Sequence, residues 1–203
     1  MASDNQRFTK LLELSRGDYK AFLYDCDGTL ADNMPAHTET YVRVAAEAGV
    51  QLDGALINEL AGWPITEVVK EINRRYNSHF DPEEFSRRKY QLFKDEYIDK
   101  VQPIGYVVEH LAASAGKVRI GVVSGSSREA ISRTLEVLGI AGLVEVMVCA
   151  GETPHGKPSP DPFLAAAAAL GADPADCLVF EDGAAGVAAA EAAGMKWIRI
   201  DWV

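Results

Sequence analysis

Polar residues that suit phosphate chemistry follow several short apolar runs in this sequence. They are Asp25 and Asp27 after residues 21–24, Ser124 after residues 118–123, Lys157 in a Gly-Lys-Pro turn, and Glu181 with Asp182 after residues 177–180. Carboxylates, a hydroxyl and an ammonium group in one place would hold an oxyanion together with a hard cation. The types of these residues therefore predict a site for a phosphate group and Mg²⁺.

The carboxylates can divide the work of transferring a phosphoryl group. Mg²⁺ prefers oxygen ligands, which Asp25, Asp182 and Glu181 supply together with a backbone carbonyl. With its charge balanced by the metal, Asp25 can attack phosphorus as a nucleophile. Asp27, two residues on, can protonate the leaving oxygen and later take a proton from water. We therefore expect hydrolysis in two steps, through an aspartyl-phosphate.

Three further residues are predicted to hold the phosphate group. Ser124 and Lys157 can stabilise charge on the equatorial oxygens, which dominates phosphoryl transfer. Gly28 lets backbone amides approach the phosphate closely. The alternative interpretations are a helix cap for Ser124, a surface position for Lys157, and solvated loop carboxylates for Asp25 and Asp27.

The apolar runs predict the elements that position these residues. Each run is short and bounded by turn or charged residues, as buried parallel strands are. The predicted strands are residues 21–24, 118–123, 143–149, 177–180 and 197–200. Helical patterns lie between most of them, at residues 128–138, 162–170 and 184–193. This alternation predicts an α/β fold with a doubly wound, Rossmann-like parallel sheet, in which ligands bind beyond the carboxyl ends of the strands.

The stretch after the first strand breaks this alternation. Its helical patterns follow one another without a convincing strand, at residues 35–48, 66–76 and 82–100. We therefore predict an all-helical cap at residues 33–101, inserted into an α/β core of residues 1–32 and 102–203. Pro103 and Gly105 interrupt the helical pattern and mark the predicted hinge. The site is expected between core and cap.

The composition limits the partners and the compartment. The 20 lysines and arginines against 30 aspartates and glutamates give a formal charge of −10, which would repel nucleic acid and anionic lipid. The sequence shows no run with the length of a transmembrane helix and no apolar signal core. We expect a cytoplasmic monomer that acts on a small phosphorylated metabolite, without a nucleic-acid or membrane partner. The three cysteines lack the spacing of a zinc site and are expected to be reduced core residues.

The polar motifs also resemble those of a known family. Four of them stand in the order typical of the haloacid dehalogenase superfamily: DCDGTL at residues 25–30, VVSG at residues 122–125, GKPSPD at residues 156–161 and FEDG at residues 180–183. The helical insert, Asp32 with His37, and the Glu181–Asp182 pair are similar to one subgroup. That subgroup contains β-phosphoglucomutase and sugar-phosphate phosphatases such as fructose-1-phosphate phosphatase.

The resemblance implies a role for each motif residue. It implies Asp25 as the nucleophile, Asp27 as the acid/base and a metal ligand through its carbonyl, Ser124 and Lys157 as phosphate binders, and Glu181 and Asp182 as metal ligands. The residues predicted to contact substrate are Gly28, Thr29, His37, Gly62, Trp63, Lys89, Gly125 and Ser126. Alternatives stay open for three of the named residues: His37 could only pack in its helix, Lys89 could be a solvated helical charge, and Glu181 could bind the metal through water or only tune the site. The arginine found in the cap loop of β-phosphoglucomutase is absent from residues 61–66.

Together these features predict an enzyme, a Mg²⁺-dependent phosphoric monoester hydrolase that acts on a small ester such as a sugar or polyol phosphate. The missing cap arginine argues against the alternative, a phosphomutase of the β-phosphoglucomutase type. A third hypothesis is a phosphate-binding or regulatory protein without turnover. The intact Asp25 and Asp27 argue against it, and an acid pair with metal ligands also argues against dehalogenase chemistry.

Overall fold

The computed structural model describes residues 3–203. In this part of the chain the strands are β1 (Ala21–Tyr24), β2 (Ala31–Asp32), β3 (Gln102–Pro103), β4 (Arg119–Val123), β5 (Val146–Val148), β6 (Cys177–Glu181) and β7 (Lys196–Arg199). The α-helices are α1 (Asp4–Leu14), α2 (Met34–Glu47), α3 (Gly54–Glu59), α4 (Ile65–Tyr76), α5 (Pro82–Glu96), α6 (Gly105–Ser114), α7 (Arg128–Val137), α8 (Asp161–Leu170) and α9 (Ala184–Ala192).

Five of the strands form one parallel sheet in the order β5-β4-β1-β6-β7. The central strand β1 pairs with β4 on one side and β6 on the other, so the chain fills one half of the sheet before crossing to the other half. This reversal opens a crevice beyond the carboxyl ends of β1, β4 and β6, where ligands bind in such sheets. The predicted fold class, a doubly wound α/β core, is confirmed.

The sheet is buried on both faces by helices. Along β1, Phe22 and Tyr24 face the layer of α1, α6 and α7, whereas Ala21 and Leu23 face α8 and α9. Alanines such as Ala166 and Ala189 are fully buried in this second layer. Because their side chains are small, α8 and α9 can lie close to the sheet. The alanine-rich segments therefore serve tight packing of helix on sheet.

A buried polar cluster supports the end of β1. His110 is fully buried, with its Nδ1 atom 2.8 Å from the Tyr24 hydroxyl and its Nε2 atom 2.8 Å from Ser15 Oγ. The Ser15 hydroxyl donates to the Leu12 carbonyl at 3.3 Å, so it accepts from Nε2 while Tyr24 donates to Nδ1. A neutral His110 satisfies both contacts. Burial lowers the pKa of His110 to about 4.

The four helices α2 to α5 pack around an apolar cluster of their own, whose fully buried members include Ala45, Val69 and Ile72. All of residues 33–101 are described and none lies in a strand. The two connections to the core run side by side, since β2 and β3 form an antiparallel ribbon with Ala31 opposite Pro103. The helical content of residues 33–101 is thus observed, while the division into core and cap domains stays a prediction.

Several predicted elements differ in extent from those observed. The predicted strand at residues 143–149 is only Val146–Val148, because Ala141–Leu143 forms a 3₁₀ turn before it. The helix predicted at residues 82–100 ends at Glu96, and a separate 3₁₀ turn, Ile98–Lys100, follows. The sequence patterns do not predict α1 or α3. Helix α1 is held in place by Arg7, whose Nε donates to the Val203 carbonyl at 3.0 Å.

Two further sequence predictions can be compared with the described residues. The cysteines Cys26, Cys149 and Cys177 are buried and free of disulfides, as predicted. Among residues 3–203, no helix combines the length and apolar composition needed to cross a bilayer.

Candidate active site

The motif residues converge where the predicted crevice lies. Asp25 directly follows β1, Ser124 directly follows β4, and Asp182 directly follows β6. Lys157 comes from the loop before α8 and reaches the same point. Since parallel strands end at one edge of a sheet, residues far apart in sequence meet there.

Lys157 lies at the centre of the charged groups. Its Nζ donates to Asp25 Oδ1 at 2.7 Å, to Glu181 Oε1 at 2.6 Å and to the Val123 carbonyl at 2.9 Å. The side chain is almost fully buried. Burial by itself would lower the pKa of Lys157, but the charges of Asp25 and Glu181 outweigh it and raise the pKa. The lysine is therefore a permanent cation that binds anionic oxygens.

Three carboxylates form a cluster beside this lysine. One oxygen from each of Asp25, Glu181 and Asp182 lies within 4.8 Å of the others. Burial and the charge of Glu181 raise the pKa of Asp182 to about 6. Burial also raises the pKa of Asp25, although the charge of Lys157 partly opposes this. The raised pKa values of Asp25 and Asp182 show that their negative charges are poorly accommodated without a partner. Three crowded carboxylates are a donor set that a hard divalent cation binds and neutralises, so these residues fit Mg²⁺.

Neighbouring groups hold the cluster in position. The Gly183 amide donates to Glu181 Oε2 at 2.7 Å, and the Thr29 hydroxyl donates to Asp182 Oδ1 at 3.0 Å. Thr29 is fully buried and does not line the cavity described below; in this conformation its hydroxyl is used by Asp182, and its contact with substrate stays a prediction. Gly28 has φ +89°, and a Cβ atom there would overlap the Asp182 carboxylate. Gly28 thus makes room for Asp182.

Asp27 is held by donors from two distant segments of the chain, the one just before α2 and the one just after β4. Ser126 Oγ donates to its Oδ2 at 2.6 Å, and Asn33 Nδ2 donates to its Oδ1 at 2.6 Å. The Nε2 atom of His37 lies 3.1 Å from the same Oδ1, without the angle of a good hydrogen bond. Burial would raise the pKa of Asp27, but His37, Ser126 and Asn33 together lower it well below its usual range. The donors Ser126 and Asn33 act whether or not His37 is charged, so Asp27 is ionised in this conformation.

His37 connects Asp27 to a buried lysine of α5. Lys89 Nζ lies 2.6 Å from His37 Nδ1, and the His37 ring stacks on Phe93 at a centroid distance of 4.3 Å. A lysine ammonium only donates, so Nδ1 accepts and the proton of a neutral His37 lies on Nε2, facing Asp27. Burial and the nearby Lys89 lower the pKa of His37, and burial lowers the pKa of Lys89 to about 8.

A cavity of about 60 Å³ lies above Asp25 and Asp27. One side of it, formed by the segment after β4, carries Ser124, Gly125 and Ser126, and the opposite side, formed by residues of the predicted cap, includes Gly62, Trp63, His37 and Lys89. Most of the cap side is apolar, formed by residues such as Ile57, Leu60, Ile65 and Val68. The cavity is therefore charged over the carboxylates and apolar opposite them.

Nine of the fourteen predicted site residues line this cavity, namely Asp25, Asp27, His37, Gly62, Trp63, Lys89, Ser124, Gly125 and Ser126. The other five do not line it, but Lys157 binds Asp25, Glu181 and Asp182 lie in the carboxylate cluster with Asp25, and Gly28 and Thr29 adjoin Asp182. Sequence reasoning missed the part played by Gly186 of α9, where a Cβ atom would overlap the Glu181 carboxylate. A glycine three positions after Gly183, inside an alanine-rich helix, was the available signal. The sequence also indicated no role for Asn33, whose side-chain amide donates to Asp27.

Known proteins are similar in sequence to this chain. A model of the haloacid dehalogenase-like hydrolases matches residues 19–194. The fructose-1-phosphate phosphatase YqaB of Escherichia coli (strain K12) is 32% identical over 185 residues, which cover 90% of this chain and 96% of that protein. The β-phosphoglucomutase of Bacillus subtilis (strain 168) is 30% identical over 187 residues, or 87% of this chain and 80% of that protein.

Solved structures agree with these matches. The β-phosphoglucomutase (pgmB) from Clostridium difficile superposes with a TM-score of 0.77 at 26% identity, covering 88% of this chain and 83% of that one. A hydrolase from Pseudomonas syringae gives a TM-score of 0.79 at 22% identity, with 88% and 83% coverage, and shows the shared fold. The predicted family and the predicted enzyme class, a phosphoric monoester hydrolase, are confirmed at the level of the family. The chain belongs to the haloacid dehalogenase-like hydrolases.

Proposed function

We propose that this enzyme is a phosphatase that hydrolyses a small sugar or polyol phosphate through an aspartyl-phosphate on Asp25. One observation carries the proposal above the others: Lys157 binds Asp25 and Glu181 at once, and Asp25 lines the same cavity as Ser124. Such a site holds a phosphoryl group between a nucleophilic oxygen and fixed positive charge. The sugar or polyol is inferred from relatives such as the fructose-1-phosphate phosphatase.

In the first step an Asp25 oxygen attacks phosphorus and the bond to the leaving oxygen breaks. Lys157 and the Ser124 hydroxyl stabilise the phosphoryl oxygens as negative charge shifts among them. Asp27 gives its proton to the leaving oxygen. In the second step water attacks the phosphorus of the acyl phosphate and Asp27 takes a proton from that water. The bond between the Asp25 oxygen and phosphorus breaks, which releases phosphate and regenerates the Asp25 carboxylate.

The proposal includes Mg²⁺ bound by Asp25, Asp182 and the backbone carbonyl of Asp27, with Glu181 beside them. When bound, the ion would neutralise the carboxylates and the phosphate. The three side-chain carboxylates already lie within 4.8 Å of one another.

The contacts of Asp27 support alternation between the two proton-transfer roles. In the closed conformation Asn33, Ser126 and His37 keep it ionised, which is the form that accepts a proton from water. Asn33 and His37 lie at the start of the predicted cap, residues 33–101. If this cap moves away from the core of residues 1–32 and 102–203, as we propose, two of these groups withdraw. Asp27 can then keep the proton that it took from water in the second step until the first step of the next cycle.

Two amide substitutions test the mechanism. Asp25→Asn removes the attacking oxygen, so no phosphoenzyme should form even with p-nitrophenyl phosphate. Asp27→Asn loses only proton transfer, worth roughly 10²- to 10⁴-fold, and an activated ester partly escapes this loss because p-nitrophenolate needs little protonation. We therefore expect a burst of acid-stable phosphate bound to Asp25 in Asp27→Asn, measured by rapid quench.

The exposed carboxylate Asp18 offers a matched control. Asp18→Asn should release phosphate at the wild-type rate. Near-normal turnover by Asp25→Asn, or trapped phosphate on Ser124, would refute the aspartyl mechanism. The absence of phosphate release by the wild-type enzyme from a broad panel of sugar and polyol phosphates with Mg²⁺ would refute the proposed substrate class.

A phosphomutase is the second candidate. The likeness to the β-phosphoglucomutase of Bacillus subtilis favours it, but a mutase must rebind its phosphorylated intermediate in two orientations. The apolar cap side of the cavity, with residues such as Leu60 and Val68, offers few groups for a second phosphate. Conversion of β-glucose 1-phosphate to glucose 6-phosphate without net phosphate release would establish the mutase.

A further inference from the structure

Three glycines of the core lie directly beneath one loop of the cap, residues 61–64. A Cβ atom on Gly125 would lie 3.2 Å from the Gly62 carbonyl oxygen. A Cβ atom on Gly156 would lie 2.6 Å from Pro64 Cγ. A Cβ atom on Gly183 would lie 3.2 Å from the carbonyl oxygen that precedes Gly62, that of residue 61. At each point an alanine would push against the cap loop.

The backbone does not demand glycine at these three positions. Gly28 and Gly62 have positive φ angles, which favour glycine whatever surrounds them. Gly125, Gly156 and Gly183 are not among the positive-φ glycines, and φ of Gly183 is −98°. What they share is the space that a missing side chain leaves for the cap loop.

Each of the three glycines directly adjoins a residue of the site. Gly125 follows Ser124, Gly156 precedes Lys157, and Gly183 follows Asp182. The cap loop above them supplies Gly62 and Trp63 to the wall of the cavity. The contact between the cap loop and these glycines therefore joins the wall of the cavity opposite Asp25, which we call its roof, to the segments that carry the charged groups of the site.

We infer that Gly125, Gly156 and Gly183 form a seat that positions the cap loop over Asp25 when the site closes. Below we call these residues the glycine seat. The glycine seat sets how close the roof comes to the reacting groups, and so how well bulk water is excluded. This inference rests on the proposed function for its activity readout, but the contact itself is independent of which ester is cleaved.

Gly156 gives the sharpest test because its neighbour is a ring. Pro64 Cγ cannot turn away as the end of a flexible chain can, so Gly156→Ala must lift the cap loop or displace its own segment. Gly183 is less suitable, since a Cβ atom there would also lie 3.4 Å from Glu181 Oε2. Pro64→Ala removes Cγ and leaves room for the new methyl group. Comparison of Gly156→Ala with the double variant Gly156→Ala/Pro64→Ala therefore distinguishes a displaced cap loop from local damage at Lys157.

We expect Gly156→Ala to lower kcat/KM by roughly tenfold to a hundredfold, since small misplacements of the closing elements cost this much. The double variant Gly156→Ala/Pro64→Ala should recover most of the loss, relative to Pro64→Ala alone. Gly142→Ala is the matched control, because a Cβ atom there meets nothing within 4 Å and Gly142 has no positive φ. It should keep the wild-type kcat/KM.

A second readout follows the cap loop without turnover. Trp63 is one of three tryptophans and is 39% exposed, so Trp197→Phe/Trp202→Phe leaves it as the sole indole. In this background Gly156→Ala should raise the acrylamide quenching of Trp63 in the presence of Mg²⁺ and inorganic phosphate, and adding Pro64→Ala should lower it again.

The outcomes distinguish this inference from the proposed function. Unchanged kcat/KM and quenching in Gly156→Ala would overturn the glycine seat, as would a loss that Pro64→Ala does not rescue. If the wild-type enzyme cleaves no ester but the quenching pattern follows the expectation, the proposed function fails and the glycine seat stands.

Discussion

The buried His110 gives a prediction whose size follows from the structure. It accepts from Tyr24 and donates to Ser15, and burial lowers its pKa from 6.5 to about 4. Between these values the unfolded chain binds a proton that the folded protein does not, so stability is full above pH 6.5 and falls as the pH drops. The loss grows by up to about 1.4 kcal/mol per pH unit.

From pH 7 to pH 5 this linkage amounts to about 2 kcal/mol, since most of the interval lies between the two pKa values. His110→Gln lacks the titrating group, so its free energy of unfolding should fall by about 2 kcal/mol less over the same interval. Urea unfolding at both pH values, followed by circular dichroism, measures the difference. With a slope of a few kcal/mol per molar, it corresponds to roughly 1 M in the midpoint.

Comparison of the two proteins cancels the other titrating groups, because both share them. An equal pH dependence in wild type and His110→Gln would refute the argument that His110 is neutral in the fold. The outcome matters for the active site, since Tyr24 directly precedes Asp25 and its ring stacks on Phe180 at 4.5 Å. The histidine thereby supports the two strands that deliver Asp25 and Glu181.

Two further predictions concern the charged cluster. Gly28→Ala should abolish turnover and weaken Mg²⁺ binding measured by calorimetry, because its Cβ atom would displace the Asp182 carboxylate. Gly49→Ala is the control: Gly49 also has a positive φ, but a Cβ atom there meets nothing within 4 Å. This control should lose some stability and keep its Mg²⁺ affinity. Lys157→Met should lower the free energy of unfolding in metal-free buffer by about 3–5 kcal/mol at pH 7, because it leaves Asp25 and Glu181 buried without their cation. The loss should be smaller at pH 5, where these carboxylates take up protons. Urea unfolding that shows an equal loss at both pH values would contradict this account.

The sequence predicts the charged side of the site well because that chemistry is local to strand ends. Asp25, Ser124 and Asp182 each stand directly after a strand, and parallel strands bring their carboxyl ends together whatever the loops do. Contacts between segments that are distant in sequence cannot be predicted from strand ends alone. The contact between Thr29 and Asp182 and the closeness of Pro64 to Gly156 depend on how separate segments pack.

Secondary structure shows the same division. The buried strands β1 and β6 were predicted to within a residue, since continuous apolar runs permit little else. Helix α1 was missed because what holds it is tertiary, including the hydrogen bond from Arg7 to the carbonyl of Val203. Strands β2 and β3 were missed because two residues each are too short to leave a pattern.

The ribbon of β2 and β3 brings the two ends of the helical segment, residues 33–101, close together. Ala31 and Pro103 lie opposite each other, and paired Cα atoms in such ladders are only about 5 Å apart. A tight turn of two residues bridges that gap in ordinary hairpins. The chain that enters the helices therefore returns almost to its starting point. A different segment with equally close ends could replace residues 33–101 without moving β1, which the proposed nucleophile Asp25 follows. Such grafts would exchange the apolar roof of the cavity for another while Asp25, Lys157 and Asp182 stay in place.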